Sequence, residues 1–167
     1  MTRAEFISAI QKSQCGNKQA FGRIYDEYFG KLYITALDIV KKEDMAYDVA
    51  SEVMLKLLEF KRDVTQILDH NGYMFAMVRN EAKNLIKKRK HEISVDEIIY
   101  GETYPMSEML WVEDIFRALT DDERELFILH IVWDMTLKDA ANSLGITYKM
   151  VKERFKTVKT KIKSIYK

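Results

Sequence analysis

The stretch from Thr136 to Ser164 constrains the fold more than any other part of this chain. A helical period of apolar residues runs up to Leu144, Gly145 interrupts it, and a second period continues unbroken from Tyr148. Each boundary has a local cause. The hydroxyls of Thr136 and Thr147 can cap a helix N-terminus, and Gly145 can take the left-handed conformation that ends a helix. Two helices coupled through such a turn form a helix-turn-helix. On the second helix Val151, Phe155, Val158, Ile162 and Ile165 make one stripe, and Lys149, Lys152, Lys156, Lys159 and Lys163 make a basic one beside it. From Lys149 to Lys167 eight Lys or Arg face Glu153 alone, a net of plus seven. By itself such a helix reads equally as a solvated lysine-rich face. The preceding helix and glycine turn favour nucleic-acid binding, because they specify how the helix is presented as well as its charge.

Within this element the residues at the start of the second helix are the candidates for base edges, and the later cations are candidates for phosphates. The candidate set is Thr147, Tyr148, Lys149, Lys152, Glu153, Arg154, Lys156 and Lys159.

The remaining sequence supports an all-α protein. One proline and six glycines in 167 residues, with apolar positions at helical spacing nearly everywhere, leave no strand alternation. A net charge of plus one hides a strong segregation. Arg79, Lys83, Lys87, Lys88, Arg89 and Lys90 form a basic block, whereas eleven acids between Glu92 and Glu125 meet only Arg117 and Arg124. The single Cys15 excludes an internal disulfide and a Cys-rich zinc site, and there is no apolar signal core or spanning run. A cytoplasmic protein is expected. His70, His91 and His130 lack ligand spacing and no glycine-rich phosphate loop occurs, so no metal, no cofactor and no catalytic residue are expected.

In chain order, residues 4 to 12 read as a first helix broken at Cys15–Asn17, and Lys18 to Val40 as a core-forming hairpin or one bent helix whose tyrosines pack inward. Asp44 is expected to cap a helix running to about Phe60, with Val49, Val53, Leu57 and Phe60 inward and a polar outer face. Lys61 to Gly72 reads as a loop closed by the turn signal Asp69–Gly72, and its stretch Lys61 to Asn71 is expected to cap a base pulled from the stack. The helix from Tyr73 to Lys90 then combines aromatic, amide and cationic side chains, which is the equipment for gripping single-stranded DNA: rings stack on bases, amides read edges, cations meet phosphates. Its candidates are Tyr73, Phe75, Arg79, Asn80, Lys83 and Lys87. From Glu92 to about Val112 the periodicity fails, predicting an acidic linker over 93–112 between a domain of residues 1–92 and one of 113–167. In the second domain a helix over Val112–Ala118 precedes a capping box formed by Thr120 and Glu123.

These segments together resemble the sigma-70 family of transcription initiation factors, in its small extracytoplasmic-function type, over about residues 18 to 166. The family's polymerase-binding segment is similar to Ala46–Leu58, its promoter-melting segment to Tyr73–Lys88, and its C-terminal segment to Leu119, Arg124, Leu129, Ala141, Leu144–Ile146, Val151, Lys152 and Arg154. The chain departs from the family pattern at Ser51, Asn84, Thr120, Asp134, Ala140, Met150 and Thr157, the last two on the DNA-reading helix. The resemblance implies that Asp48, Ser51, Glu52, Met54 and Lys56 contact core RNA polymerase, at its beta-prime clamp helices, with further contact to the beta flap. It implies that residues 1–92 melt a −10 element and that residues 113–167 bind a −35 element of promoter DNA. An anti-sigma factor is a further possible partner. A DNA-binding regulator acting without polymerase, and a sigma-like interaction protein, are the alternatives.

Overall fold

The computed structural model describes residues 1–60, 62–92 and 110–166. The chain divides into two compact units, Met1–Thr103 and Tyr104–Lys167, and among the described residues every regular element is helical.

The first unit holds α1 (Arg3–Gln14), α2 (Lys18–Val40), α3 (Glu43–Leu58) and α4 (His70–Glu92), with a 3-10 turn at Val64–Gln66. The long α2 is central and packs against the other three. Its apolar period explains this: Ile24, Tyr28, Leu32 and Ala36 are fully buried, as are Phe6 of α1, Val53 of α3, and Met74 and Val78 of α4, and the Phe6 and Tyr28 rings meet edge-on at 5.6 Å. Lys18–Val40 is thus one helix, not a hairpin. Tyr28 and Tyr33 are core residues as expected, whereas Tyr25 stays 37% exposed and stacks on Phe29 with centroids 4.5 Å apart.

Three expected boundaries are corrected. Asp44 does not cap α3. Lys41 ends α2 in the left-handed region at φ 57°, so Lys42 becomes the cap position without a side-chain hydrogen bond. Glu43 and Asp44 then fall inside the first turn, where the helix dipole favours acids. Leu58 ends this helix, leaving Phe60 outside it and only half-buried. The Asp69–Gly72 signal is likewise a helix start and not a turn. The Asp69 carboxylate accepts from the Gly72 N–H at 2.9 Å, and a Cβ at position 72 would collide with that carboxylate, so the glycine makes room for the cap.

The second unit holds α5 (Leu110–Ala118), α6 (Asp121–Phe127), α7 (Leu137–Leu144) and α8 (Tyr148–Ile165), with a π-helical turn at Ile128–Val132 after α6. Residues 110–112, expected in the linker, already belong to α5, and residues 93–109 lie outside the described residues. Thr120 and Glu123 form the expected capping box of α6. Trp133, Leu126, Leu129, Val151 and Val158 are fully buried at the centre, and α8 packs against α5, α6 and α7. The small Ala140 and Ala141 of α7 are both buried.

Candidate nucleic-acid interface

In the second unit the helix-turn-helix is built by local hydrogen bonds. Thr136 accepts from the Asp139 N–H at 3.1 Å to start α7. Gly145 sits at φ 65°, and the N–H groups of Gly145 and Ile146 donate to the carbonyls of Asn142 and Ala141, closing the helix end. Two residues later Thr147 accepts from the Met150 N–H at 3.3 Å and starts α8. This capping leaves the first turn of α8 outermost: Thr147, Tyr148, Lys149, Met150, Lys152 and Glu153 are all exposed.

Packing and charge then divide α8 into faces. Val151 and Val158 are buried, while Phe155 is half-covered, its ring meeting His130 edge-on at 4.6 Å. Lys152 lies over the Tyr148 ring at 5.6 Å and Lys159 over the Phe155 ring at 5.0 Å, so both ammonium groups are steered along the exposed face. Lys156 is exposed and pairs with Glu153 at 2.9 Å. Arg154 departs from the expectation: it turns to α6 and pairs with Asp122 at 3.0 Å, its side chain only 23% exposed. Lys161 likewise reaches Glu123 at 2.6 Å. Both cations fix α8 to the bundle, so the presented basic face comprises Lys149, Lys152, Lys156, Lys159 and Lys163.

In the first unit, Asn80, Lys83 and Lys87 stand exposed along α4, and Arg79 is half-buried. Phe75 is 9% exposed, with the Arg79 guanidinium 5.4 Å from its ring centroid, so in this structure its ring lies in the packing and not on the exposed face. Tyr73 is half-buried against Phe60, and burial pushes its hydroxyl up, against the opposing charge of Arg62. Beside it opens a cleft of about 430 Å³ walled by Phe60, Arg62, Asp63 and Gln66. The candidates drawn from α4 omit these four residues. Arg62, Asp63 and Gln66 belong to the loop expected to cap a base, and the Asp63 side chain accepts from the Thr65 N–H at 2.9 Å and shapes the 3-10 turn.

On α3, Asp48 and Glu52 are exposed and Ser51 is half-buried on one side. Met54 is buried, at 3% exposure, and the neighbouring Leu55 is the apolar side chain presented to solvent, at 55%. Lys56 pairs with Glu52 one turn back at 3.6 Å and also hydrogen-bonds Glu81 of α4. That second bond is the main reason its ammonium is held above the usual lysine range. Glu81 is the lone acid in the basic block of α4, and Lys56 neutralises it.

Among the described residues, no group of three or more His, Cys, Asp or Glu could hold a metal ion, and no helix is long and apolar enough to cross a membrane. No protein-family model matches the chain. It is 23% identical over 154 residues to the ECF RNA polymerase sigma factor BldN of Streptomyces coelicolor, a match covering 85% of this chain and 58% of that relative. The chain therefore spans little more than half the length of the curated relative it matches. Its fold is similar to that of CnrH, solved in complex with the cytosolic domain of CnrY, with a TM-score of 0.57, 18% identity and 97% of each chain covered. It is also similar to the sigma factor RpoE in complex with the anti-sigma factor NepR from Bartonella quintana, with a TM-score of 0.54 and 19% identity over 87% of this chain and 96% of that one. The resemblance carried by the motifs thus meets a sequence likeness to one ECF sigma factor and a fold shared with the CnrH and RpoE structures.

Proposed function

We propose that this chain is an ECF-type sigma factor: it binds core RNA polymerase in the cytoplasm and directs initiation at promoters whose −35 and −10 elements it recognises. The observation that carries the reading is the Thr147-capped α8, which presents Tyr148, Lys149, Lys152 and Glu153 at its free end and a run of lysines behind them. A helix presented in this way enters a major groove with its first turn on base edges and its later cations on phosphates. Promoter opening needs a second device. The exposed Asn80, Lys83 and Lys87 of α4, beside the Phe60–Tyr73 cleft, supply an amide, cations and a recess for a base drawn out of the duplex. Asp48, Ser51, Glu52 and Leu55 form the surface for the beta-prime clamp helices, and the second unit meets the beta flap.

The chain acts by binding and not by catalysis. Two structures similar in fold are complexes with the cytosolic domain of CnrY and with the anti-sigma factor NepR, which supports an anti-sigma factor as a third partner here. Run-off transcription with core polymerase on genomic fragments tests the reading. Discrete transcripts that require the chain are expected; DNA binding by the second unit without any chain-dependent transcript, and without affinity for core polymerase, would leave a polymerase-independent regulator instead.

A further inference from the structure

Helix α1 lies outside the segment that carries the family resemblance, yet its two ends grip the same loop. Arg3 donates from Nε to the Ile67 carbonyl at 2.8 Å and from Nη2 to the Thr65 carbonyl at 2.6 Å. Eleven residues along the helix, roughly 16 Å at 1.5 Å per residue, Gln14 donates from Nε2 to the Phe60 carbonyl at 2.7 Å. The backbone carbonyls of Phe60 on one side and of Thr65 and Ile67 on the other are thereby held from the two ends of α1. At the junction with α4, Phe6 packs on the His70 ring at 5.2 Å, and His70 Nε2 donates to the Met1 carbonyl at 3.0 Å.

This segment walls the cleft described above. Val64 and Ile67 turn inward and are buried, while Arg62, Asp63 and Gln66 stay exposed on the cleft side. The Thr65 side chain and N–H, with Gln66, hold the Asp63 carboxyl below its usual range, so the wall offers a fixed carboxylate, an amide and a guanidinium. Those groups match the donors and acceptors along the edge of a nucleobase, but such matching discriminates between bases only if the wall is held to about 0.5 Å. A loop whose regular structure is one 3-10 turn does not hold itself to that tolerance. We infer that α1 is a strut for the cleft, with Arg3 and Gln14 as positioning residues that give it base selectivity. The inference rests on the promoter-opening reading above. It adds to that reading a determinant of specificity outside the DNA-facing helices.

Because Phe6 and Ile10 are buried, α1 stays docked when Arg3 is changed. The test uses the full chain, alone and bound to core RNA polymerase, as wild type, Arg3→Met, Arg3→Lys and Gln14→Met. Amide hydrogen exchange over residues 62–68 reads the clamp, and anisotropy with fluorescein-labelled single-stranded decamers of randomised sequence reads base preference. For Arg3→Met, exchange in the loop should rise about tenfold. The ratio between preferred and disfavoured bases should fall at least about fivefold, with affinity for core polymerase unchanged. Arg3→Lys should fall between, since an ammonium on a flexible stem lacks the rigid fork with which the guanidinium holds two carbonyls at once. If Arg3→Met leaves exchange unchanged, or loosens the loop while base preference persists, the strut inference is wrong and the promoter reading stands. If the wild-type holoenzyme prefers no base, the promoter reading itself fails and takes this inference with it.

Discussion

The attachment of α8 to its bundle can be tested through one half-buried ion pair. Glu123 serves α6 twice: its carboxylate closes the capping box by accepting from the Thr120 N–H at 2.8 Å, and it receives Lys161 of α8 at 2.6 Å. The Glu123 side chain is 10% exposed and that of Lys161 35%. Lys161→Met keeps the apolar stem and removes the ammonium, leaving a nearly buried carboxylate with its cap hydrogen bonds alone. Hydrogen bonds to charged groups contribute about 1.5–3 kcal/mol, and solvent at the lysine end screens part of that, so the loss should be about 1–2 kcal/mol. For a unit of this size that corresponds to a Tm lower by about 5–15 °C. Both tryptophans, Trp111 and the fully buried Trp133, lie in the second unit, so thermal unfolding followed by tryptophan fluorescence reads that unit alone. Adding Glu123→Gln should recover most of the loss, because the amide still accepts from Thr120 but carries no charge to strand. Lys156→Met is the control, since its partner Glu153 is 62% exposed and the pair should be worth under about 0.5 kcal/mol. Acid gives an independent reading. Partial burial raises the Glu123 carboxyl, but Lys161 and Thr120 outweigh it and hold it below the ordinary 4.5. A depressed carboxylate stabilises the fold above its unfolded value and ceases to as pH falls through the folded one, so wild type should lose stability below about pH 4.5 by a component that Glu123→Gln lacks. Equal costs for Lys161→Met and Lys156→Met, with no rescue by Glu123→Gln, would refute the argument.

Three further outcomes follow from the surfaces. Asp48→Arg with Glu52→Arg should weaken binding to core polymerase at least about tenfold while changing stability by no more than about 0.5 kcal/mol, as titration of labelled chain with core enzyme and thermal unfolding would show. Phe75→Ala should cost the first unit about 3 kcal/mol because the ring is buried, whereas Asn80→Ala should leave stability intact and reduce permanganate-detected strand opening more than closed-complex binding. Replacing Lys152 should alter sequence preference in a competition over randomised duplexes, by about 1–3 kcal/mol per lost base contact, while Lys159→Ala should weaken all duplexes alike and lower the salt slope by roughly one unit.

The all-α class and the helix-turn-helix were legible in the sequence because their causes are local. Thr120, Thr136, Gly145 and Thr147 act through hydrogen bonds spanning three to five residues, so composition at those positions was enough. Where a helix began depended instead on where the preceding one stopped: the left-handed Lys41 moved the α3 cap off Asp44, and the Asp69 cap turned an expected turn into the first turn of α4. Which face of a helix was presented was also a tertiary matter. Met54 and Phe75 sit at positions that helical spacing leaves ambiguous, and neighbouring helices bury them. Arg154 belongs to a run of cations that looks uniform in sequence, yet Asp122 on α6 draws it off the presented face. The clamp of Arg3 on Thr65 and Ile67 joins residues more than sixty positions apart, and no periodicity or spacing encodes such a pairing. Local hydrogen-bonding and apolar period determined the elements. Long-range packing decided which of their side chains remain free to meet a partner, because exposure is a property of the neighbours a residue acquires on folding.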